Sequence, residues 1–245
     1  MLKKILFFLL IFSSLIYAKT INIAVAANVS YAMQDLKKEF YKLYPDIKVR
    51  VTLGGSGKLV AQIKNGAPYS VFMSANMKYP EALYKANIAI TKPLVYAQGG
   101  LAYFSNKKQD FSKGIKLLTT PNIRKISIAN PKTAPYGKAS IEALKNANIY
   151  NKIRKKLIYS ESISQCVSYA MVATDIGLIA KSSLYSKKMK RYKKGVNWIE
   201  IDSKLYTPIK QGIVLLKDDD SAKKFYNFIF SSKAQQIFKH YGYLI

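Results

Sequence analysis

The chain has 245 residues, 49% of them apolar, which is enough for one large domain or for two lobes with their own hydrophobic cores. The single cysteine, Cys166, excludes an internal disulfide, and we interpret it as a small core residue of a helix. The formal net charge of +27 makes nucleic acid the first partner to consider.

The positive charge does not have the pattern expected for base recognition. The basic residues are spread along the whole chain and nearly all are lysines, whereas base recognition relies on arginine side chains. The arginines are Arg50, Arg124, Arg154 and Arg191. We therefore interpret the charge as a solvated lysine surface that helps a soluble anion to approach, with a basic nucleic-acid or acidic-surface binder as the alternative.

Residues 1–18 have the pattern of a secretory signal peptide. Lys3 and Lys4 precede an apolar run over 5–16, and Ala18 stands at a plausible cleavage point. The run is short for a membrane span, which needs about 20 residues. No cysteine follows it that could carry a lipid, so we expect a soluble, exported protein of the bacterial periplasm.

Apolar strands alternate with amphipathic helices along the rest of the chain. Strands are predicted over 21–28, 47–53, 70–75, 93–105, 124–130, 176–180 and 210–217. Helices are predicted over 30–44, 58–66, 80–86, 136–149 and 162–172, and as a pair around Ser231–Ser232. This alternation predicts an α/β fold with mostly parallel sheets. Gly99 and Gly100 interrupt the long extended stretch, which indicates a strand that leaves one lobe and enters another.

The turns after the strands share a chemical character. Small residues, hydroxyl or amide side chains and backbone N–H groups come together at the helix starts in 27–30, 54–57, 133–137 and 160–164. Ligands of open α/β sheets bind beyond the carboxyl ends of the strands, and helix N-termini attract anions. A plain helix cap explains any one of these turns, but the set of them favours a small-anion site.

The glycine-rich turn Gly54-Gly55-Ser56-Gly57 matches neither a nucleotide-binding loop nor a hydrolase nucleophile turn, because the spacing of both motifs is absent. The single histidine, His240, lies in the last predicted helix, and the aspartates 218–220 are interpreted as a helix-capping turn. The chain therefore lacks the residues for a catalytic triad or a metal centre, and we expect no enzyme activity and no cofactor. Ser56 is interpreted as a helix N-cap whose hydroxyl faces a small anion.

The mature chain resembles the periplasmic molybdate-binding proteins of ABC transporters from end to end. The resemblance is carried by "AANVSYAMQDLKKEF", "GGSGKLVAQIKNGAPYSVFMSA", "ANPKTAPYGKASIEAL" and "SSKAQQIFKHYGYLI". It implies a two-lobed, type II-like periplasmic binding protein that closes around molybdate or tungstate and partners the membrane permease of an importer. The implied first lobe holds 19–98 and 205–245, and the second holds 99–204. We expect a monomer.

The resemblance also implies which residues hold the anion. Asn28 falls where the family places a hydroxyl residue in its first loop, and its amide can still donate. Ser56 matches the family's second-loop serine. Tyr136 and Ile163 fall where the family uses backbone N–H groups. Two positions depart from the family: Ala180 replaces a tyrosine that donates its phenol in many members, and Ser70 replaces an aspartate.

The absence of carboxylates from the first three loops discriminates among anions. Phosphate carries a proton at neutral pH and requires an acceptor, whereas molybdate, tungstate and sulfate require only donors. Glu161, in the fourth loop, is expected to point away. A receptor for sulfate or for an iron–anion complex stays open as an alternative, because the sequence does not give the size of the cavity.

Overall fold

Two five-stranded sheets, each packed against helices, organise the protein in a computed structural model that describes residues 19–245. The predicted signal peptide, 1–18, lies outside the described residues. One sheet and its helices enclose two apolar clusters, and the other sheet encloses a third, which extends to Ala26, Ala27 and Ala75 at the ends of the first sheet's strands. Each sheet with its helices is called a lobe below, and the predicted two-lobed α/β architecture is confirmed.

The first lobe is built on a sheet with the strand order β2-β1-β3-β10-β4. Its strands are β1 (Lys19–Ala26), β2 (Ile47–Gly54), β3 (Val71–Met73), β4 (Leu94–Gly99) and β10 (Ile209–Leu215). Its helices are α1 (Ser30–Leu43), α2 (Ser56–Lys64), α3 (Lys78–Lys85), α7 (Asp220–Ile229) and α8 (Ser232–His240). The second half of β1, residues 23–26 (IAVA), is buried throughout because helices cover both faces of this central strand.

The second lobe is built on a sheet with the strand order β7-β6-β8-β5-β9. Its strands are β5 (Leu101–Phe104), β6 (Ile126–Ala129), β7 (Leu157–Ser160), β8 (Ile176–Ala180) and β9 (Trp198–Glu200). Its α-helices are α4 (Pro135–Asn146), α5 (Tyr150–Ile153) and α6 (Ile163–Val172). Short 3-10 helices complete the irregular connections, among them Phe111–Thr119 and Lys181–Tyr185.

In each sheet four of the five strands run in the same direction and one runs against them, so the prediction of mostly parallel sheets fails at one strand of each lobe. The pairs that β1 forms with β2 and β3, and β6 with β7 and β8, are parallel. The pairs that β10 forms with β3 and β4, and β5 with β8 and β9, are antiparallel. The antiparallel pairs arise at β5 and β10, the strands through which the chain enters each lobe from the other.

The chain passes between the lobes at the predicted glycine pair. β4 ends at Gly99 in the first sheet and β5 starts at Leu101 in the second, so Gly100 lies between the two sheets. The chain returns between β9 and β10. The C-terminal tail then pairs with β4 through Gln98 and Leu244, which places Tyr243 in the interior of the first lobe.

Gly99 makes room for a contact between the lobes. A Cβ at this position would overlap the hydroxyl of Tyr136, which belongs to α4 of the second lobe, and would lie 2.8 Å from Nε2 of Gln211 in β10. The Tyr136 side chain is 1% exposed, so it has no free space into which it could retreat.

Gly99→Ala is therefore expected to lower the free energy of unfolding by about 1–3 kcal/mol, the usual cost of overpacking a filled interior. This loss of stability is expected both if the added methyl group stays compressed against Tyr136 and if the lobes move apart to accommodate it. Gly100→Ala is the matched control, because the nearest atom to its added Cβ would be 3.7 Å away. Urea denaturation of both variants measures the difference, and equal stabilities would contradict this account of the hinge.

Candidate functional site

A small cavity of about 10 Å³ lies between the lobes, at the ends of strands from both sheets. We call it the interlobe cavity, and its lining residues are Ala26, Ala27, Asn28, Gly54, Gly55, Ser56, Ala75, Ala134, Pro135, Tyr136 and Ile163. The four predicted site residues, Asn28, Ser56, Tyr136 and Ile163, are thus brought to one place from four separate junctions. None of the lining side chains carries a charge.

Ser56 opens α2 and is buried at the bottom of the cleft. Its Oγ accepts a hydrogen bond from the backbone N of Ala75 at 3.0 Å, which ties the start of α2 to the end of β3. The N-cap of α2 is Gly55, so the prediction that Ser56 is the cap is wrong. The Ser56 oxygen accepts the Ala75 hydrogen bond through a lone pair, so the hydroxyl proton is still available to a molecule in the interlobe cavity.

Asn28 lies in the 3-10 turn Ala27–Val29 that joins β1 to α1 and is fully buried. Its Nδ2 donates to Oε1 of Gln211 at 2.8 Å and to the hydroxyl of Tyr243 at 2.9 Å. Its backbone oxygen accepts from the hydroxyls of Ser182 and Tyr243. Across residues 19–245, Asn28 Oδ1 is the one buried side-chain polar atom that lacks a hydrogen-bond partner.

The second lobe contributes the N-termini of two helices. Tyr136 lies in the first turn of α4, directly after Pro135, and Ile163 is the first residue of α6, whose N-cap Ser162 accepts from the backbone N of Gln165 at 3.2 Å. N–H groups in a first helical turn have no partner within their own helix, and they carry the positive end of the helix dipole. The two helix starts therefore present donors to the interlobe cavity.

The lobes approach each other most closely beside this cavity. The backbone N of Gly57 donates to the backbone O of Thr133 across the cleft at 2.9 Å. A Cβ at Gly55 would lie 3.2 Å from the backbone O of Glu161 and one at Gly57 would lie 3.1 Å from Thr133, both in the opposite lobe, so larger residues would hold the lobes apart. Lys58 and Glu161 also pair across the cleft at 3.4 Å, but both side chains are well exposed and the pair contributes little.

The Glu161 side chain is 77% exposed and points away from the cavity, as predicted. Ala180 ends β8 and is fully buried outside the cavity lining, so the position where many family members carry a donor phenol contributes none. Ser70 is also outside the lining, and its backbone N donates to Asn22 O at 2.7 Å. The methyl side chain of Ala180 therefore supplies no donor, and Ser70 does not border the cavity.

A cluster of buried phenols that the sequence analysis missed surrounds Asn28. Tyr96, Tyr136 and Tyr243 are each buried, and burial raises the pKa of all three phenols, that of Tyr243 to about 12. They are therefore neutral hydrogen-bonding groups at physiological pH. Gln211 joins them, since its Oε1 accepts from Tyr96 at 2.8 Å and its Nε2 donates to Tyr136 at 3.3 Å. A glutamine inside the apolar strand "IKQGIVL" was the available signal.

The other candidate residues have structural positions. Asp219 caps α7 by accepting from the backbone N of Ala222 at 2.7 Å, as predicted for 218–220, and His240 is exposed at the end of α8. Cys166 is a buried core residue of α6, and burial raises the pKa of its thiol to about 12. Within the described residues, no group of His, Cys, Asp and Glu side chains could hold a metal ion, and no helix is long and apolar enough to cross a membrane.

Two α/β lobes joined by two crossings, with helix N-termini from both lobes around a cavity between them, define a solute-binding protein of the two-lobed type. The family described as bacterial extracellular solute-binding protein matches residues 21–244, and this chain belongs to it.

Relatives and a solved structure agree with this assignment. The chain is 34% identical to the molybdate-binding protein ModA of Azotobacter vinelandii over 233 residues, 92% of this chain and 90% of the relative. It is 33% identical to the ModA of Rhodobacter capsulatus, over 90% of this chain and 86% of the relative. The solved periplasmic molybdate-binding protein of A. vinelandii superimposes with a TM-score of 0.84 at 29% identity, covering 92% of this chain and 99% of that one.

Gly57→Ala is expected to prevent full closure of the cleft, because the added Cβ would meet Thr133 of the opposite lobe at 3.1 Å as well as the Tyr79 hydroxyl. Urea denaturation should then give a free energy of unfolding that is lower than that of the wild type by about 1–3 kcal/mol. Gly54→Ala is the control, since its Cβ would meet only the Leu59 side chain of the same lobe, at 3.3 Å. Equal stabilities of Gly57→Ala and the wild type would show that the glycine is not needed for the contact between the lobes.

Proposed function

We propose that the protein is a periplasmic receptor that binds molybdate, and also tungstate, in the interlobe cavity and delivers the anion to the permease of an ABC importer. One observation carries the proposal: Asn28, Ser56 and the starts of α4 and α6 converge on a small interlobe cavity whose lining has no charged side chain. The relatives named as molybdate-binding proteins, which match over nearly the whole chain, support this choice of ligand.

Neutral donors suit a fully deprotonated dianion. N–H and O–H groups share its two charges without the cost of burying an ammonium group beside it, and hydrogen bonds to a charged acceptor are the strong ones. The hydroxyl of Ser56, the amide of Asn28 and the backbone N–H groups of Tyr136 and Ile163 are the proposed donors. Phosphate, which keeps a proton at neutral pH, would require an acceptor. Sulfate carries the same charge as molybdate and is the second candidate, to be separated by size.

The receptor is proposed to act by binding alone, as a monomer, without catalysis and without a cofactor other than the transported anion. Residues 1–18 support export to the periplasm, because their pattern is that of a signal peptide. The lysine-rich surface favours the approach of a dianion by long-range attraction. Closure brings Gly57 against Thr133 and shields the bound anion from water and salt.

A thermal-shift screen tests the ligand. Molybdate and tungstate at about 100 times their dissociation constants should stabilise the fold by about 2.7 kcal/mol, because a ligand of the native state raises stability by mass action. At equal concentration sulfate should give a smaller shift and phosphate none. A larger shift with sulfate or phosphate would overturn the proposed specificity, and binding of nucleic acid that falls steeply with salt would favour the alternative class.

Ser56→Ala is expected to weaken molybdate binding by roughly 1.5–3 kcal/mol, because it removes one donor to a charged partner. Isothermal titration calorimetry measures the loss. Ser231→Ala is the matched control: Ser231 caps α8 through the backbone N of Ala234 at 3.3 Å, so its loss should lower stability and leave affinity unchanged. Unchanged affinity in Ser56→Ala would exclude this hydroxyl from the site.

A further inference from the structure

Gln211 is a fully buried polar side chain in the centre of the first lobe, one step removed from the interlobe cavity. The pairing of β10 with β4 shifts register between Gln211 and Gly212. Such bulges redirect side chains next to functional sites. Here the Gln211 carboxamide contacts Asn28 and Tyr96 of its own lobe and Tyr136 of the other lobe.

The arrangement of the two carboxamides conflicts with an anion beside Asn28. Both Nδ2 protons of Asn28 are taken, one by Gln211 and one by Tyr243, and Oδ1 is left without a partner. Oδ1 is thus the amide atom that remains for a bound molecule. An acceptor oxygen placed against a dianion is repulsive, and a buried acceptor without a partner is destabilising.

We propose that Gln211 is a positioning residue that holds the Asn28 carboxamide in the reverse orientation, with Nδ2 turned to the oxyanion. A half-turn of each carboxamide keeps its shape and exchanges donor for acceptor. Gln211 Nε2 then donates to Asn28 Oδ1 and to the Tyr96 hydroxyl, over the same 2.8 Å separations. This inference rests on the proposed function, and it assigns to that site a residue that acts through Asn28 without contacting the anion.

The reverse orientation gives every polar atom of the cluster a partner. Tyr136 donates its phenol proton to Gln211 Oε1, and Tyr96 can donate to the backbone O of Ser74, 3.5 Å away. Tyr243 can turn its proton to Asn28 Oδ1, because the Ser182 hydroxyl still donates to the Asn28 backbone oxygen at 3.0 Å. The orphaned Oδ1 is removed and two N–H protons of Asn28 become free for the anion.

Tyr136 links this orientation to closure of the lobes. Its phenol reaches Gln211 from the second lobe, through the space that Gly99 leaves open, so it can fix Gln211 Oε1 as an acceptor only when the cleft is closed. Asn28 then becomes a donor at the moment when the anion is enclosed. Tyr136 would act twice, through its N–H at the cavity and through its phenol at Gln211.

A double-mutant cycle by calorimetry with molybdate tests the inference. Gln211→Met removes the carboxamide at similar volume and should weaken binding about 10-fold, equivalent to about 1.4 kcal/mol. In an Asn28→Ala background the same change should have less than about a 2-fold effect, because Gln211 acts through Asn28. Tyr136→Phe, which keeps the N–H, should behave in the same way and serves as a second variant should Gln211→Met fold poorly.

The side-chain amide of Asn28 gives an independent readout in 15N-labelled protein, assigned by its loss in Asn28→Ala. Its N–H proton signals should move downfield when molybdate is added to the wild type. Equal losses of affinity in both backgrounds, or an unshifted Asn28 amide, would overturn the inference and leave the proposed function intact. Phosphate binding more tightly than molybdate would also overturn it, since Oδ1 would then serve as an acceptor. A wild type that binds neither molybdate nor tungstate would overturn the proposed function itself.

Discussion

The proposed site depends on one constraint: neutral hydrogen-bond donors at helix starts of both lobes must surround one small space between them. A dianion taken out of water loses its hydration, and only a ring of well-placed donors replaces it without introducing a buried countercharge. The start of a helix supplies such donors from the backbone, which is why the proposed site is assembled from strand-to-helix junctions of both sheets. The surrounding phenols stay neutral because burial raises their pKa values.

Enclosure of this space requires the two lobes to approach at backbone distance. Gly55, Gly57 and Gly99 permit that approach: the first two border the mouth of the cavity and the third receives the Tyr136 phenol near the hinge. The exposed Lys58–Glu161 pair adds little energy to it. Closure therefore depends on shape and on hydrogen bonds between the lobes, from Gly57 to Thr133, from Gln211 to Tyr136 and from Ser182 to Asn28. The many lysines affect how fast an anion arrives.

The sequence was sufficient to predict most helices and the central strands, because their apolar periodicity is long and regular. It missed β7 and β9, since "LIYS" and "WIE" are short and partly exposed and follow basic or irregular segments. The parallel assignment failed at β5 and β10 because strand direction there is set by the lobe crossings, which local pattern does not encode. The glycine pair, in contrast, marked the first crossing directly.

The candidate site was predictable in its residues and not in its contacts. Asn28, Ser56, Tyr136 and Ile163 line one cavity, but the Ser56 hydroxyl bonds to Ala75 instead of capping its own helix. Gln211 and Tyr243 could not be connected to Asn28 from the sequence, because they are 183 and 215 residues away along the chain. Such contacts follow from the three-dimensional packing of the first sheet and the C-terminal tail.

The most direct test of the account is a crystal structure of the protein grown with sodium tungstate, with the tungsten located by its anomalous scattering. We expect one tungsten per chain in the interlobe cavity, with its oxygens within hydrogen-bond distance of Ser56 Oγ, the Asn28 carboxamide and the backbone N–H groups of Tyr136 and Ile163. Tungsten bound only at surface lysines, with nothing in the interlobe cavity, would contradict the account.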